Sequence, residues 1–326
     1  LLLFGFGILL SNIPLTDLND NGELLELLDW DVKSNLFPSL IFLGVDAMID
    51  FTPLIANPKS FFLGAAAQFG IFFTLTGALL LNFKLPEACA IAIIGSADGP
   101  TTIFLANKLA PELLGPIMLA AYSYIALMPV IMPPLMRLLT TKRERAIIMT
   151  SAREVSKLSK IMFPIIVLII STLCVPESAP LIGMLMFGNI LRESGVVDRL
   201  SKTAQTELLN IILIFLGLSI GSTLTADKLL KQDSLYIFIL GLISFMAGTA
   251  GGIILGKILC KLTNGKINPL IGAAGVAAVP MGAQMVQKVG LHENQSNYLL
   301  MPAMGPNAAG VIGSTIVAGI LLAIVK

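Results

Sequence analysis

The sequence predicts an all-α, polytopic membrane protein of about ten or eleven transmembrane segments, built as two pseudo-symmetric repeats whose broken helices meet near the membrane midplane. Three observations predict it. Of 326 residues, 56% are hydrophobic and 13% charged, and the mean hydropathy of +0.88 exceeds what a water-soluble domain can cover with polar side chains. The apolar residues fall in blocks, most of them near the length of about 20 residues that one crossing needs. Those blocks also recur. Phe42-Leu43-Gly44 followed by Thr52 returns as Phe215-Leu216-Gly217 followed by Thr225, Ile94-Gly95-Ser96-Ala97 returns as Ile271-Gly272-Ala273-Ala274, and Phe187-Gly188 resembles Phe6-Gly7.

In order, the blocks run over 1–15, 36–56, 60–82, 86–108, 113–139, 161–175, 180–191, 208–225, 235–260, 269–287 and 298–325. The second closes at Pro53 and Asn57-Pro58, and the third, 60–82, is uninterrupted and long enough to cross. Block 86–108 opens on Pro86 and contains Gly99-Pro100, which must interrupt its helix. Blocks 113–139, 235–260 and 298–325 again have full crossing length. Block 161–175 follows the densest basic stretch, Lys142, Arg143, Arg145, Arg153, Lys157 and Lys160, which the positive-inside bias assigns to the cytoplasm. That stretch reads as a solvated amphipathic connector. The loop 176–180 carries no Lys or Arg and fits the opposite side. Block 180–191 is short enough to be a partial or re-entrant segment, which leaves the relative orientation of the two repeats open. Asn268-Pro269 and Val279-Pro280 punctuate block 269–287, and the run 301–307, Met-Pro-Ala-Met-Gly-Pro-Asn, is expected to break the last block as Gly99-Pro100 breaks the fourth. The expected organisation is a first membrane repeat over 1–140, a cytoplasmic linker helix with one connecting crossing over 141–179, and a second membrane repeat over 180–326.

Composition also excludes. With 21 Lys+Arg against 20 Asp+Glu there is no polybasic excess, which argues against a nucleic-acid partner. Cys89, Cys174 and Cys260 are scattered through apolar blocks without ligand spacing and read as small hydrophobes. His292 is the only histidine, which removes every motif that needs two.

Carboxylates in apolar blocks are the residues that need a reason, because a central Asp costs about 2.5–3.5 kcal/mol to insert. Asp46 and Asp50 are spaced i, i+4, so on a continuous helix they share one face and either a proton or a cation. Alternatively Asp50, near Pro53 and Asn57, sits at a helix end in the interface. Asp98 is the sharper case. It stands directly before Gly99-Pro100, where freed carbonyls and amides at membrane depth offer the oxygens that a hard alkali cation wants. A capped kink, with the Asp98 carboxylate bonding the freed amides, is the structural alternative. In the second half Asn307 and Ser314 lie inside a stretch of small apolar residues, and Tyr122 and Tyr124 offer hydroxyls in the block after Asp98.

Five ordered motifs carry a resemblance across nearly the whole chain: Asn57-Pro58-Lys59-Ser60 with Gly64-Ala65-Ala66-Ala67-Gln68, Ala97-Asp98-Gly99-Pro100-Thr101, Ala121-Tyr122-Ser123-Tyr124, Lys266-Ile267-Asn268-Pro269-Leu270-Ile271-Gly272, and Met304-Gly305-Pro306-Asn307. The chain resembles the β subunit of the sodium-pumping, biotin-dependent decarboxylases. The resemblance implies a subunit that removes CO2 from carboxybiotin carried by a partner, consumes a proton and drives Na+ out of the cytoplasm, in the inner membrane of a bacterium. It implies a biotinylated carboxyltransferase α-type subunit and a small single-span γ-type subunit as partners, and a homo-trimer. Carried over residue by residue, it implies Na+ ligation and coupling by Asp98, Tyr124 and Asn307, with Asp98 and Tyr124 catalytic, and a carboxybiotin contact at Asn268; Gln284 as a second carboxybiotin contact and Asp46 and Ser314 as further Na+ ligands are expectations from this chain's own residues. Gly272 keeps a pattern also counted functional.

The chain departs from that pattern at five positions. Ala277 and Gln284 stand where Ser and Arg are usual, Asp46 replaces a usual Gly, Gly248 a usual Asp and Pro302 a usual His. A carboxylate has in effect appeared at 46 and vanished at 248, which makes Asp46 a candidate replacement ligand. The competing expectation is a Na+- or H+-coupled secondary carrier of organic anions without decarboxylase activity.

Overall fold

The computed structural model describes residues 2–13, 35–149, 153–225, 229–277 and 280–326. Residues 150–152 of the basic connector and 278–279 of the tenth block lie outside it. No strand occurs among the described residues. The helices of eight residues or more are α1 (Leu2–Ser11), α2 (Leu36–Met48), α3 (Ser60–Ala67), α4 (Phe69–Leu80), α5 (Leu85–Ala92), α6 (Gly99–Leu109), α7 (Leu114–Leu139), α8 (Lys157–Cys174), α9 (Ala179–Ser194), α10 (Leu209–Ser222), α11 (Gln232–Leu262), α12 (Met281–Glu293) and α13 (Leu300–Val325).

Among the described residues, six helical stretches are long and apolar enough to cross a bilayer: Ser60–Leu80, Pro111–Leu139, Lys157–Cys174, Asp198–Ser222, Gln232–Leu262 and Leu300–Val325. Leu2–Ser11, Leu36–Met48 and Leu85–Ser96 are shorter apolar helices. The protein is thus an all-α polytopic membrane protein. Its lipid-facing character is plainest at α8, where exposed Leu158, Ile166, Ile169, Ile170 and Leu173 have no protein to cover them.

Two of the apolar blocks turn back instead of running straight through. In the first, α5 continues as a 3-10 turn over Ile93–Ser96, the chain reverses at Ala97 and Asp98, and α6 leads out again. Lys84 and Pro86 at one end of this hairpin and Leu109 and Pro111 at the other line one cavity of about 730 Å³, so both ends lie on the same side of the molecule. In the second, a 3-10 turn over Pro269–Gly275 leads in and α12 leads out. Both of its ends meet Arg145: the Arg145 carbonyl accepts from Asn268 Nδ2 at 3.0 Å, and the guanidinium pairs with Glu293 at 2.9 Å. Helix α7 separates the two sides. Its start borders the Lys84 cavity, its end is followed by Thr140, whose carbonyl the Arg145 guanidinium bonds, and its 26 residues span about 39 Å. The hairpins therefore enter from opposite ends, and their tips touch where the Ala277 N–H donates to the Ser96 carbonyl at 2.8 Å.

The run 301–307 does not break its helix, contrary to the sequence expectation. Pro302 lies in the first turn of α13, where the N–H has no intrahelical partner in any case, and Pro306 removes only one bond of the ladder. The interruption in the second half falls one block earlier, ahead of α12, where the sequence also marks a break at Val279-Pro280. Block 180–191, expected to be partial, is α9, 16 residues or about 24 Å long.

Packing crosses between the halves. Helix α1 lies against α10 and α9 against α2, so the helix that opens each half packs on the second apolar helix of the other. Glycine permits both contacts. A methyl group on Gly7 would lie 2.4 Å from the Leu218 carbonyl oxygen, and one on Gly188 would lie 2.3 Å from that of Leu43. In the same reciprocal manner α7 packs on α11, and α13 on α3.

The basic connector is not uniformly solvated. Lys142 and Arg143 are exposed, but Arg145 is buried. Its Nη1 donates to the carbonyls of Arg137 and Thr140 while Nε donates to Glu293. This one side chain fastens the end of α7 to the second hairpin. Removing one partner of a buried ion pair costs about 3–5 kcal/mol, so Arg145→Ala is expected to lower the melting temperature of the purified protein markedly, whereas exposed Arg143→Ala leaves it unchanged.

Candidate functional site

Asp98 sits at the tip of the first hairpin for a local reason. Ala97 adopts a left-handed conformation, φ 55°, which reverses the chain, and Asp98 then caps the N-terminus of α6 with Pro100 in its first turn. The carboxylate is 5% exposed. Its Oδ1 accepts from the Thr101 N–H at 3.2 Å, and its Oδ2 accepts from the Thr101 hydroxyl at 2.7 Å. A third donor comes from the other half of the chain: the Ser314 hydroxyl on α13 reaches Oδ2 at 2.5 Å. The capped kink and a polar cluster contributed by both halves thus exist together.

A cavity of about 180 Å³ opens beside this cluster and is walled by both hairpin tips, with Ala97, Asp98 and Gly99 on one side and Ala277 and Met281 on the other. Pockets that enclose drug-sized ligands run to about 300–1,000 Å³. The space suits an ion with part of its hydration better than a whole cofactor. Tyr122 also lines it, standing so close over Gly99 that a methyl there would lie 2.8 Å from the hydroxyl oxygen. Tyr124, two residues on, points elsewhere: its hydroxyl donates to the Phe238 carbonyl and its ring packs on Gly241.

Asn307 lies two turns along α13 from Ser314. Its Nδ2 donates to the Ala274 and Val276 carbonyls at 2.8 Å each, pinning the tip of the second hairpin, while its Oδ1 is buried without a partner. Between Asn307 and Ser314, Gln68 spans Gly64 and Gly310 through its Nε2, leaving Oε1 buried and unpartnered. Two orphaned acceptor oxygens therefore flank the same helix that brings Ser314 to Asp98. Oxygen acceptors without a donor are what a desolvated cation needs.

The other sequence-derived candidates lie apart from this cluster. Asn268 is a scaffold residue, donating to the Arg145 and Ile147 carbonyls and accepting from the Leu270 N–H. Gln284 is exposed on α12. Asp46 is fully buried, and neither of its carboxylate oxygens has a hydrogen-bond partner. Asp50 does not share a helical face with it, because α2 stops at Met48; its Oδ1 accepts from the Thr52 N–H at 2.8 Å, the arrangement of a helix end. At Gly248 a Cβ would come within 2.8 Å of the Ala67 carbonyl oxygen, so the position is closed to a carboxylate. Sequence reasoning missed Thr101, Gln68 and Arg145. For Thr101 a signal was present, since Asp followed three residues later by a hydroxyl residue is a helix N-cap pattern.

An acidic side chain buried where interrupted helices from both halves converge defines an ion-handling membrane protein. Comparison with known proteins sharpens that class. The model of the family described as "Na+-transporting oxaloacetate decarboxylase beta subunit" matches residues 1–325, and the chain belongs to that family. It is 58% identical to the oxaloacetate decarboxylase beta chain 2 of Salmonella typhi over 297 residues, covering 89% of this chain and 69% of the relative. It is 52% identical over 321 residues to the methylmalonyl-CoA decarboxylase subunit beta of Veillonella parvula, covering 98% and 86%. To the glutaconyl-CoA decarboxylase subunit beta of Acidaminococcus fermentans it is 52% identical over 320 residues, covering 98% and 85%. The chain is accordingly a decarboxylase subunit of the Na+-transporting kind.

Proposed function

We propose that this subunit decarboxylates carboxybiotin delivered by a partner and couples that reaction to Na+ export, with Asp98 and Ser314 at the centre of the ion site. The observation that carries the reading is the buried Asp98 carboxylate, held at a hairpin tip and bonded by a hydroxyl from the other half beside a small cavity. Asn307 Oδ1 and Gln68 Oε1 extend the oxygen lining along α13. Tyr122 takes the place next to Asp98 that the resemblance gives to Tyr124.

The Arg145 end is the cytoplasmic end, because the basic stretch from Lys142 to Lys160 adjoins it. Carboxybiotin approaches from that side along the second hairpin, whose base Asn268 fixes and whose tip end exposes Gln284 in the first turn of α12. The reaction breaks the N–CO2 bond of the ureido group, releases CO2 and transfers one proton to the nitrogen left behind. Asp98 links the two processes by charge: Na+ at its oxygens favours the ionised carboxylate and frees a proton for the ureido nitrogen. Thr101 and Ser314 orient the carboxylate for that exchange. The biotinylated α-type subunit, the single-span γ-type subunit, trimeric assembly and a bacterial inner-membrane location belong to the same proposal.

The membrane complex, supplied with N-carboxybiotin, is expected to release CO2 with saturable dependence on Na+. CO2 release at the same rate with K+ in place of Na+ would sink the coupling. Accumulation of an organic anion in vesicles without any biotinylated partner would instead support a carrier.

A further inference from the structure

We propose that Asp46 and Asn189 form a second Na+ site, at the crossing of α2 and α9 and distinct from the Asp98 cluster. Asp46 is fully buried and both of its carboxylate oxygens lack a partner. Asn189 is 1% exposed, and its Oδ1 likewise lacks a partner. The two groups are neighbours across a backbone contact: a methyl on Gly188 would lie 2.3 Å from the Leu43 carbonyl oxygen and 3.0 Å from the Ala47 nitrogen, and each polar residue is adjacent in sequence to this contact. The Asn189 amide orients itself through Nδ2, which reaches the Ile49 carbonyl at 3.4 Å, and this turns Oδ1 away from that bond. α2 ends within a turn of Asp46, and there the Asp46, Met48 and Ile49 carbonyls already accept from the Ile49 N–H, Arg192 and Asn189.

Three acceptor oxygens enclosed by helices, with only the Asn189 backbone N–H turned toward the carboxylate, offer a place for a positive charge. The Arg192 charge acts on Asp46, but its N–H groups bond elsewhere. Its Nη1 donates to the Met48 carbonyl at 2.9 Å, Nη2 lies 3.9 Å from Asp50 and Nε 3.5 Å from Glu193. The oxygen-only set of a carboxylate and an amide fits a hard monovalent cation. The ion is taken from the proposed function, and the test separates the two claims.

Equilibrium binding of radioactive Na+ to the solubilised complex tests the site, together with the Na+-induced rise in melting temperature, which grows with occupancy. The wild type is expected to bind one more Na+ per chain than Asp46→Asn. Asn189→Leu is expected to weaken that same ion at least tenfold. Asp98→Asn keeps the Asp46-dependent ion while losing its own, so a failure confined to Asp98→Asn bears on the proposed function and not on this site. Asp46→Asn with wild-type stoichiometry and an undiminished melting shift would overturn the proposal, and this is also the result that a simply protonated Asp46 would give. If Asp46→Asn does not fold, Asn189→Leu decides by the same two readouts, unchanged values overturning it.

Discussion

Asp98→Asn is expected to abolish Na+-stimulated decarboxylation of carboxybiotin, with turnover falling by about 10²–10⁴-fold, the range over which a positioned acid or base acts. Asn keeps the size of Asp, its Oδ1 can still accept from the Thr101 N–H and its Nδ2 can donate to the Ser314 hydroxyl, so the cap at the start of α6 survives and the fold with it. What Asn lacks is the charge that holds a cation and the site for the proton. Stopped-flow CO2 release and Na+ binding, measured on the same preparation, check both halves of the expectation. Turnover that stays Na+-stimulated in this variant would remove Asp98 from the mechanism. Ser314→Ala, which deletes one donor but not the charge, is expected to weaken apparent Na+ affinity while sparing much of kcat.

Gly272→Ala is expected to have the largest effect on folding. A Cβ at that position would lie 2.0 Å from the Gly252 carbonyl oxygen, and the reciprocal methyl on Gly252 would lie 2.1 Å from the Gly272 carbonyl oxygen. Both obstacles are backbone, so no side chain can swing aside, and overpacking costs typically about 1–3 kcal/mol, or more where nothing yields. Loss of monodisperse elution in detergent at growth temperature is the expected readout. A variant that folds as the wild type does but has lost Na+ dependence would instead make Gly272 part of the ion path. The contact geometry assigns it to the packing of the second hairpin on α11.

The sequence made the membrane class and the first interruption legible through local chemistry. Block length and hydropathy depend on composition alone, and Gly99-Pro100 cannot continue a helix wherever it lies. It also marked Asp98 and Ser314 separately, but nothing in local pattern says that two residues 216 positions apart share a hydrogen bond. Of the two breaks expected in the second half, the one at Val279-Pro280 coincides with the start of α12, and the failure of the one at 301–307 has a physical cause. Pro302 and Pro306 read as helix breakers, yet a proline in the first turn sacrifices nothing, and the next one sits in a helix well supported by neighbours. Tyr122 and Tyr124 could not be told apart for a related reason. Two residues apart on a helix face different neighbours, and which face meets α6 and which meets α11 is decided by tertiary packing. Arg145 looked like one more solvated cation because a charge run carries no sign of which member a neighbouring helix will cover.

Half-entering hairpins that touch at Ser96 and Ala277 set the Asp98 cluster between the two ends of α7, so an ion held there has crossed only part of the bilayer. An elementary charge carried the whole way gains or loses about 2.3 kcal/mol per 100 mV. An energised membrane would therefore brake the outward movement of an uncompensated cation, and collapsing the voltage with an ionophore would release it.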